Sequence, residues 1–262
     1  MDFVHTQKDK ILKYRIKSWW SQVILPIGIL VYFTVYPIDM MMLLYSAFFS
    51  YCIFAVLMTN THFINTHKLI KIKSTTLRFI LNFFSTAYIV TPTVSWALIH
   101  YMHHRYVDTE LDPHSPKHRG FFKVMWYSNH KFSLDHLPPY QQKKCFVSVQ
   151  HLMNDPAAIF FEKYFVLTLA VTSIGFLSAG LDYFVYFYAI PVLYFVLGEM
   201  LGILNHSGKI GGKHIAHPRI YHNAHNFYWG WWLIPFEALH ANHHNGHDKK
   251  HPLLKILKKL DK

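Results

Sequence analysis

Residues 40–68 read MMMLLYSAFFSYCIFAVLMTNTHFINTHK. From Met40 to Met58 this stretch carries no charge, and it is close to the ~20 residues that cross a hydrocarbon core. Directly beyond it stand His62 and His67. A membrane-length helix that delivers histidines to its end is the reading on which the fold turns. Upstream, ILPIGILVYFTVY at 24–36 gives a second apolar run, and the turn Pro37-Ile38-Asp39 is too short for anything but a helical hairpin. Downstream, runs at 158–179 and 183–204 form another pair, joined near Gly180-Leu181-Asp182. The expectation is an all-α integral membrane protein. Its four transmembrane helices, at about 20–36, 39–59, 158–179 and 183–204, form two hairpins within a single domain of residues 1–262.

Composition agrees. Of 262 residues, 52% are hydrophobic and only 15% charged, where a soluble domain carries about 25% charge. Glu162 and Lys163 begin the third run and are expected at the interface, while Glu199 interrupts the fourth. The stretch 77–99 is also apolar but holds Asn82, Thr91, Pro92 and Thr93. It is expected to lie along the interface or dip in partway, because a crossing would part the histidines on its two sides. Cys52 in an apolar run and Cys145 in a basic loop have no metal-type or disulfide spacing. The N-terminal segment lacks an immediate apolar core and a cleavage site, so the first run reads as a retained anchor.

The net charge is +12. Lys8 to Lys17, Lys68, Lys71, Lys73, Arg78, Arg105, Lys117, Arg119, Lys143, Lys144 and the Lys-rich C-terminus fall on one side, and neither hairpin turn has a Lys or Arg. The positive-inside rule puts both termini and the histidine-rich cap in the cytosol. The charge suits anionic head groups or an acidic partner. Nucleic acid is not indicated, since no basic stripe stands on a soluble fold.

Histidine occurs in three boxes: HFINTH at 62–67, HYMHH at 100–104 and HANHH at 240–244. In each HxxHH box, positions i, i+3 and i+4 span an arc of roughly 100° on a helix, so three imidazoles can face one pocket. His62 and His67 are about 140° apart on a regular helix. They need either a helix end that unwinds or two different metals. Nitrogen-only ligation suits iron, copper or zinc better than magnesium or calcium. His206, directly after the fourth run in GILNHSG, is a ninth candidate. His222 and His225 also have i, i+3 spacing but read as supporting or surface residues. So do His114, His118, His130, His136, His151, His214, His217, His247 and His251. Asp108, Glu110, Asp112 and Glu237 are near enough in sequence to orient ligands. The bland alternative is a pH-sensitive or merely polar histidine-rich cap.

WALIHYMHHRYVDTELDPHSPKHRGFF, residues 96–122, resembles the central segment of membrane-bound delta-9 fatty acyl desaturases of the stearoyl-CoA desaturase type. That family reads roughly HRxHHxxxDTxxDPHxxxxGFF. His100, His103, His104, Asp108, Thr109, Asp112, Pro113, His114, Gly120, Phe121 and Phe122 all match. HFINTH, HLMNDPAAIFFEKYF at 151–165 and NFYWGWWLIPFEALHANHH at 226–244 are similar to further family segments, so the likeness covers roughly 20–245. Two departures stand out. Gly202 occupies the position of a family Asn, and Asn245-Gly246-His247-Asp248 replaces Phe-Pro-x-Asp-Tyr.

The resemblance implies a di-iron centre held by His62, His67, His100, His103, His104, His206, His240, His243 and His244, with Asp108, Asp112 and Glu237 behind them. It implies O2 as co-substrate and a cis double bond, at the delta-9 position, placed in a saturated fatty acyl group carried by CoA, acyl carrier protein or a lipid. With no fused cytochrome domain, the expected electron donor is separate: cytochrome b5, ferredoxin or rubredoxin. The membrane would be endoplasmic reticulum or a bacterial inner membrane. Ser50 to Leu57 are placed to line or close an acyl tunnel, or simply to pack. One rival is a di-iron hydroxylase or ketolase of an alkyl chain or carotenoid. From another class, a membrane metal transporter would put its ligands near mid-bilayer along a pathway.

Overall fold

The computed structural model describes residues 16–124, 139–206, 224, 226, 230, 232–235, 237–244, 256 and 259. The described residues are helical or irregular, with no strand. Three helices are long and apolar enough to cross a membrane: α1 (Ile16–Val35), α2 (Met40–Thr66) and α8 (Leu181–Leu204). The run expected as a third span is instead a bent pair, α6 (Pro156–Lys163) and α7 (Phe165–Ala179), whose axes differ by 80°; it is apolar enough to cross as one broken span or to dip in as a re-entrant loop. The first span therefore starts before residue 20, and α2 runs on through the first histidine box.

Local chemistry sets the hairpins. Asp39 caps α2 by accepting from the N–H groups of Met41 and Met42 at 2.9 and 3.0 Å. Gly180, at φ 134°, turns α7 into α8 in a conformation that favours glycine. The hydroxyl of Tyr32 donates to Asp182 at 2.6 Å, and the N–H of Asp39 donates to the Tyr186 hydroxyl at 3.0 Å. Both turns thus lie at one end of the bundle. From there α2 and α8 run to the opposite end, where His62 lies in the last turn of α2 and His206 follows the end of α8. Large apolar side chains such as Ile27, Leu30, Phe48, Val171 and Ile174 are exposed on the outer faces. Such a surface is stable against lipid, while backbone groups are satisfied within the helices.

The stretch 77–99 is not among the candidate spans. It is split between α3 (Thr75–Ile89) and α4 (Thr93–Tyr106), with Val90 at φ 51° between them. Several polar residues there have partners. The Asn82 carboxamide oxygen accepts from Thr93 Oγ1 at 2.6 Å and from Asn65 Nδ2 at 3.4 Å, and Asn60 Nδ2 donates to Ser85 at 3.1 Å. These contacts fix the end of α2 against the start of the helix that carries the second box.

Two expectations need correction. Glu162 is buried, not solvated at an interface: it accepts from Ser95 Oγ at 2.7 Å and Ser95 N at 3.2 Å, satisfying a free N–H in the first turn of α4. Cys145 is buried in a helix, α5 (Pro139–Met153), rather than in a loop, because that helix packs its apolar side on α4.

Candidate metal centre

Four segments bring nine imidazoles together at the end of the bundle away from the turns. They form two groups, in each of which the nitrogens lie within 4.8 Å of one another. One contains His62, His67, His100, His104 and His243, the other His103, His206, His240 and His244.

The first box reaches its group because α2 widens. Thr59–Thr66 is a π-helix, and the His67 N–H donates to the His62 carbonyl at 3.0 Å. Five residues then close one turn, so His62 and His67 share a face and a group. Neither HxxHH box serves a single group. In α4, His100 and His104 point to the five-nitrogen group and His103 to the other; in α9 (His240–His244), His243 goes to the first and His240 and His244 to the second. The ~60° between positions i and i+3 is enough to divide one helix face between two centres.

The contacts within each group converge on single atoms. His62, His243, His104, His100 and His67 are linked in that order by Nε2···Nε2 approaches of 2.9, 2.8, 2.8 and 3.1 Å. His103, His244, His240 and His206 are linked by 3.1, 3.2 and 2.9 Å. A neutral imidazole nitrogen either carries a proton or accepts one. Inner Nε2 atoms that each meet two others make a poor hydrogen-bond chain. They make a good ligand shell: with metal–nitrogen distances of about 2.1 Å, neighbouring nitrogens of an octahedral shell stand about 3 Å apart. The donor set fits a pair of metal ions.

Protonation favours the same use. Burial, with repulsion from neighbouring imidazoles, holds His100, His104, His243 and His244 well below the usual histidine range, and burial lowers His67 to about 4. At neutral pH these rings are neutral, as metal binding requires. His103 differs. Burial lowers it, but the Asp112 carboxylate at its Nδ1 (3.0 Å) and the charge of Asp108 outweigh that, and its pKa is raised. Asp112 is fully buried and also accepts from the N–H groups of Asp108 and His114, each at 2.8 Å. Asp108, at φ 58°, sits 3.3 Å from His206 Nδ1. Two rings of the four-histidine group are therefore backed by carboxylates, which fixes the Nδ1–H tautomer and aims Nε2 inward.

Glu237 opens the turn before α9, but its side chain lies outside the described residues, as do His130, His136, His214, His217, His222, His225, His247 and His251. His114 lies beside His103, His118 Nε2 donates to the Asp108 carbonyl, and His151 Nε2 donates to the Asn65 carbonyl. Sequence reasoning missed Trp96, which stacks on His100 at 4.7 Å, and Asn226, which exchanges hydrogen bonds with Asn242 inside the third box. Trp96 could have been found, since it stands four residues before His100 on one helix face. Asn226 had no local signal.

A cavity adjoins the four-histidine group. Phe54, Met58, Trp96, Gly198, Glu199 and Ile203 line it beside His100, His103, His206 and His240. Of the residues expected near a tunnel, Phe54 is at its wall. At Gly202 an added Cβ would meet nothing within 4 Å, so this wall is open. A family model described as fatty acid desaturase matches residues 41–254. No curated protein matches the chain.

Proposed function

The chain belongs to the fatty acid desaturase family, and from that premise we propose that it is an oxygen-dependent di-iron desaturase placing a cis double bond, at the delta-9 position, in a saturated fatty acyl chain. The observation that carries the reading is the convergence of nine imidazoles on two centres beside a largely apolar cavity. Two iron ions held there would supply the oxidising power that an unactivated C–H bond requires, which no side-chain acid or base can.

The residues have divided roles. His62, His67, His100, His104 and His243 would hold one ion, and His103, His206, His240 and His244 the other. Asp112 and Asp108 would keep the Nδ1 protons of His103 and His206 in place. Met58, Trp96 and Ile203 would hold the methylene pair against the centre and exclude water. The reaction takes two hydrogens from adjacent methylenes, and with dioxygen, two electrons and two protons they leave as two waters. A separate electron donor is part of the proposal: the basic cap suits an acidic carrier such as cytochrome b5, ferredoxin or rubredoxin. The basic flanks support a cytosolic placement of that cap and both termini, on endoplasmic reticulum or a bacterial inner membrane. A transporter is less well supported, because both groups lie at one end of the spans rather than along a pathway.

Expression in a desaturase-deficient host tests the reading. The expected product is lighter than its precursor by two hydrogens. A product heavier by one oxygen would instead support hydroxylation, and metal uptake without oxygen consumption would support transport.

A further inference from the structure

The cavity reaches from the cap into the bundle. His114 and Val124 line it on the cap side, and the lining residues deepest in the bundle are Phe54 on α2 and Gly198 and Glu199 on α8. Glu199 stands two helical turns before His206, about 10 Å along the axis. At this depth Phe54 closes on Gly198 so tightly that a Cβ there would fall 2.5 Å from its ring. The ring is backed by Phe195 and Tyr194, with centroids at 4.9 and 5.5 Å.

Beside this aromatic stop lies a charge pair. Lys17, only 3% exposed, donates from Nζ to both carboxylate oxygens of Glu199 at 2.7 and 3.0 Å. The Glu199 side chain retains 22% exposure. A carboxylate has about four lone-pair sites, and the ammonium engages only some of them. The others need water or another donor. A methyl or methylene group pressed against Glu199 would displace that water and offer nothing in return. Lys17 lies on the first membrane helix, before the stretch matched by the family model, and Glu199 lies within it.

We propose that the Lys17–Glu199 pair is a specificity-determining element: it stops an acyl chain at this depth and so limits the length between the reacting carbons and the methyl end. The proposal rests on the acyl-binding part of that reading of the site. Lys17→Met with Glu199→Leu tests it. Both charges are removed together, because either single change leaves a buried charge unpaired. Equilibrium binding of an even-numbered series of radiolabelled saturated fatty acids to the purified full-length chain gives a readout independent of turnover. Product profiling in the desaturase-deficient host gives a second. Wild type is expected to discriminate against chains beyond a limit by about tenfold per added increment, and the double variant to move that limit to longer chains in both readouts. If the double variant does not fold, Lys17→Met with Glu199→Gln should move the limit in the same direction by a smaller step. A wild type with no length preference, or a folded variant with an unmoved limit, overturns the proposal. A length limit in binding that moves as expected, with no unsaturated product from wild type, upholds this inference and defeats the desaturase reading.

Discussion

The two histidine groups lie side by side but are built differently. The five-nitrogen group draws on all three boxes, and its rings meet one another through Nε2. The four-nitrogen group has one ligand fewer, two carboxylates behind its rings, and most of the cavity-lining histidines. The difference teaches how one scaffold can give two like ions unlike tasks. Five rings would leave one position of an octahedral shell. Four rings, two of them backed by Asp112 and Asp108, would leave more room for a further ligand on the side where the cavity adjoins.

The comparison can be broken most directly at His103, which belongs to the carboxylate-backed group. His103→Ala is expected to lower bound iron and abolish unsaturated product; full iron by metal analysis together with retained product would remove His103 from the ligand set. A smaller effect is expected one step back. Asp112→Asn should weaken metal binding about 10–100-fold, measured by chelator competition, and the weakly held ion should be the one whose removal stops turnover. Equal loss of both ions would erase the proposed difference between the groups.

Acid should act mainly on the five-nitrogen group. His67 is lowered to about 4 by burial, and His100, His104 and His243 are lowered in the same direction. Stability from a depressed histidine is present above its unfolded value of about 6.5 and is lost as pH falls through the folded value. The thermal midpoint of metal-free protein should therefore drop by several degrees between about pH 6.5 and 4; a flat profile there would count against burial of these rings. His103 has the opposite sign, its raised value giving a contribution that is lost as pH rises through it. The smallest change concerns the scaffold common to both groups. Glu162→Gln keeps one acceptor for Ser95 at the start of α4 and should cost about 1 kcal/mol, or roughly 2–4 °C, leaving the metal content of the folded fraction unchanged.

Much of this was legible in advance. The apolar runs gave the membrane helices, because hydrocarbon forces every backbone group into a local hydrogen bond and so makes span length readable from composition alone. The positions of the nine histidines were equally visible. Their partition was not. Nothing in HxxHH separates His103 from His100 and His104; the split follows from where α4 meets α9 and α8. The union of His62 and His67 depended on a π-turn that a regular helical wheel does not contain. Glu162 read as an interfacial charge and proved to be a buried cap, because its partner Ser95 is 67 positions away.

The sequence by itself determined an all-α membrane protein with its histidines concentrated at helix ends, since hydropathy and residue identity are local quantities. Only the tertiary structure decided which imidazoles share a centre, which of them a carboxylate backs, and that a lysine on α1 meets a glutamate on α8 at the cavity wall. Those outcomes depend on distances of a few ångströms between segments far apart in the chain, and such distances are fixed by how the helices pack rather than by the order of the residues.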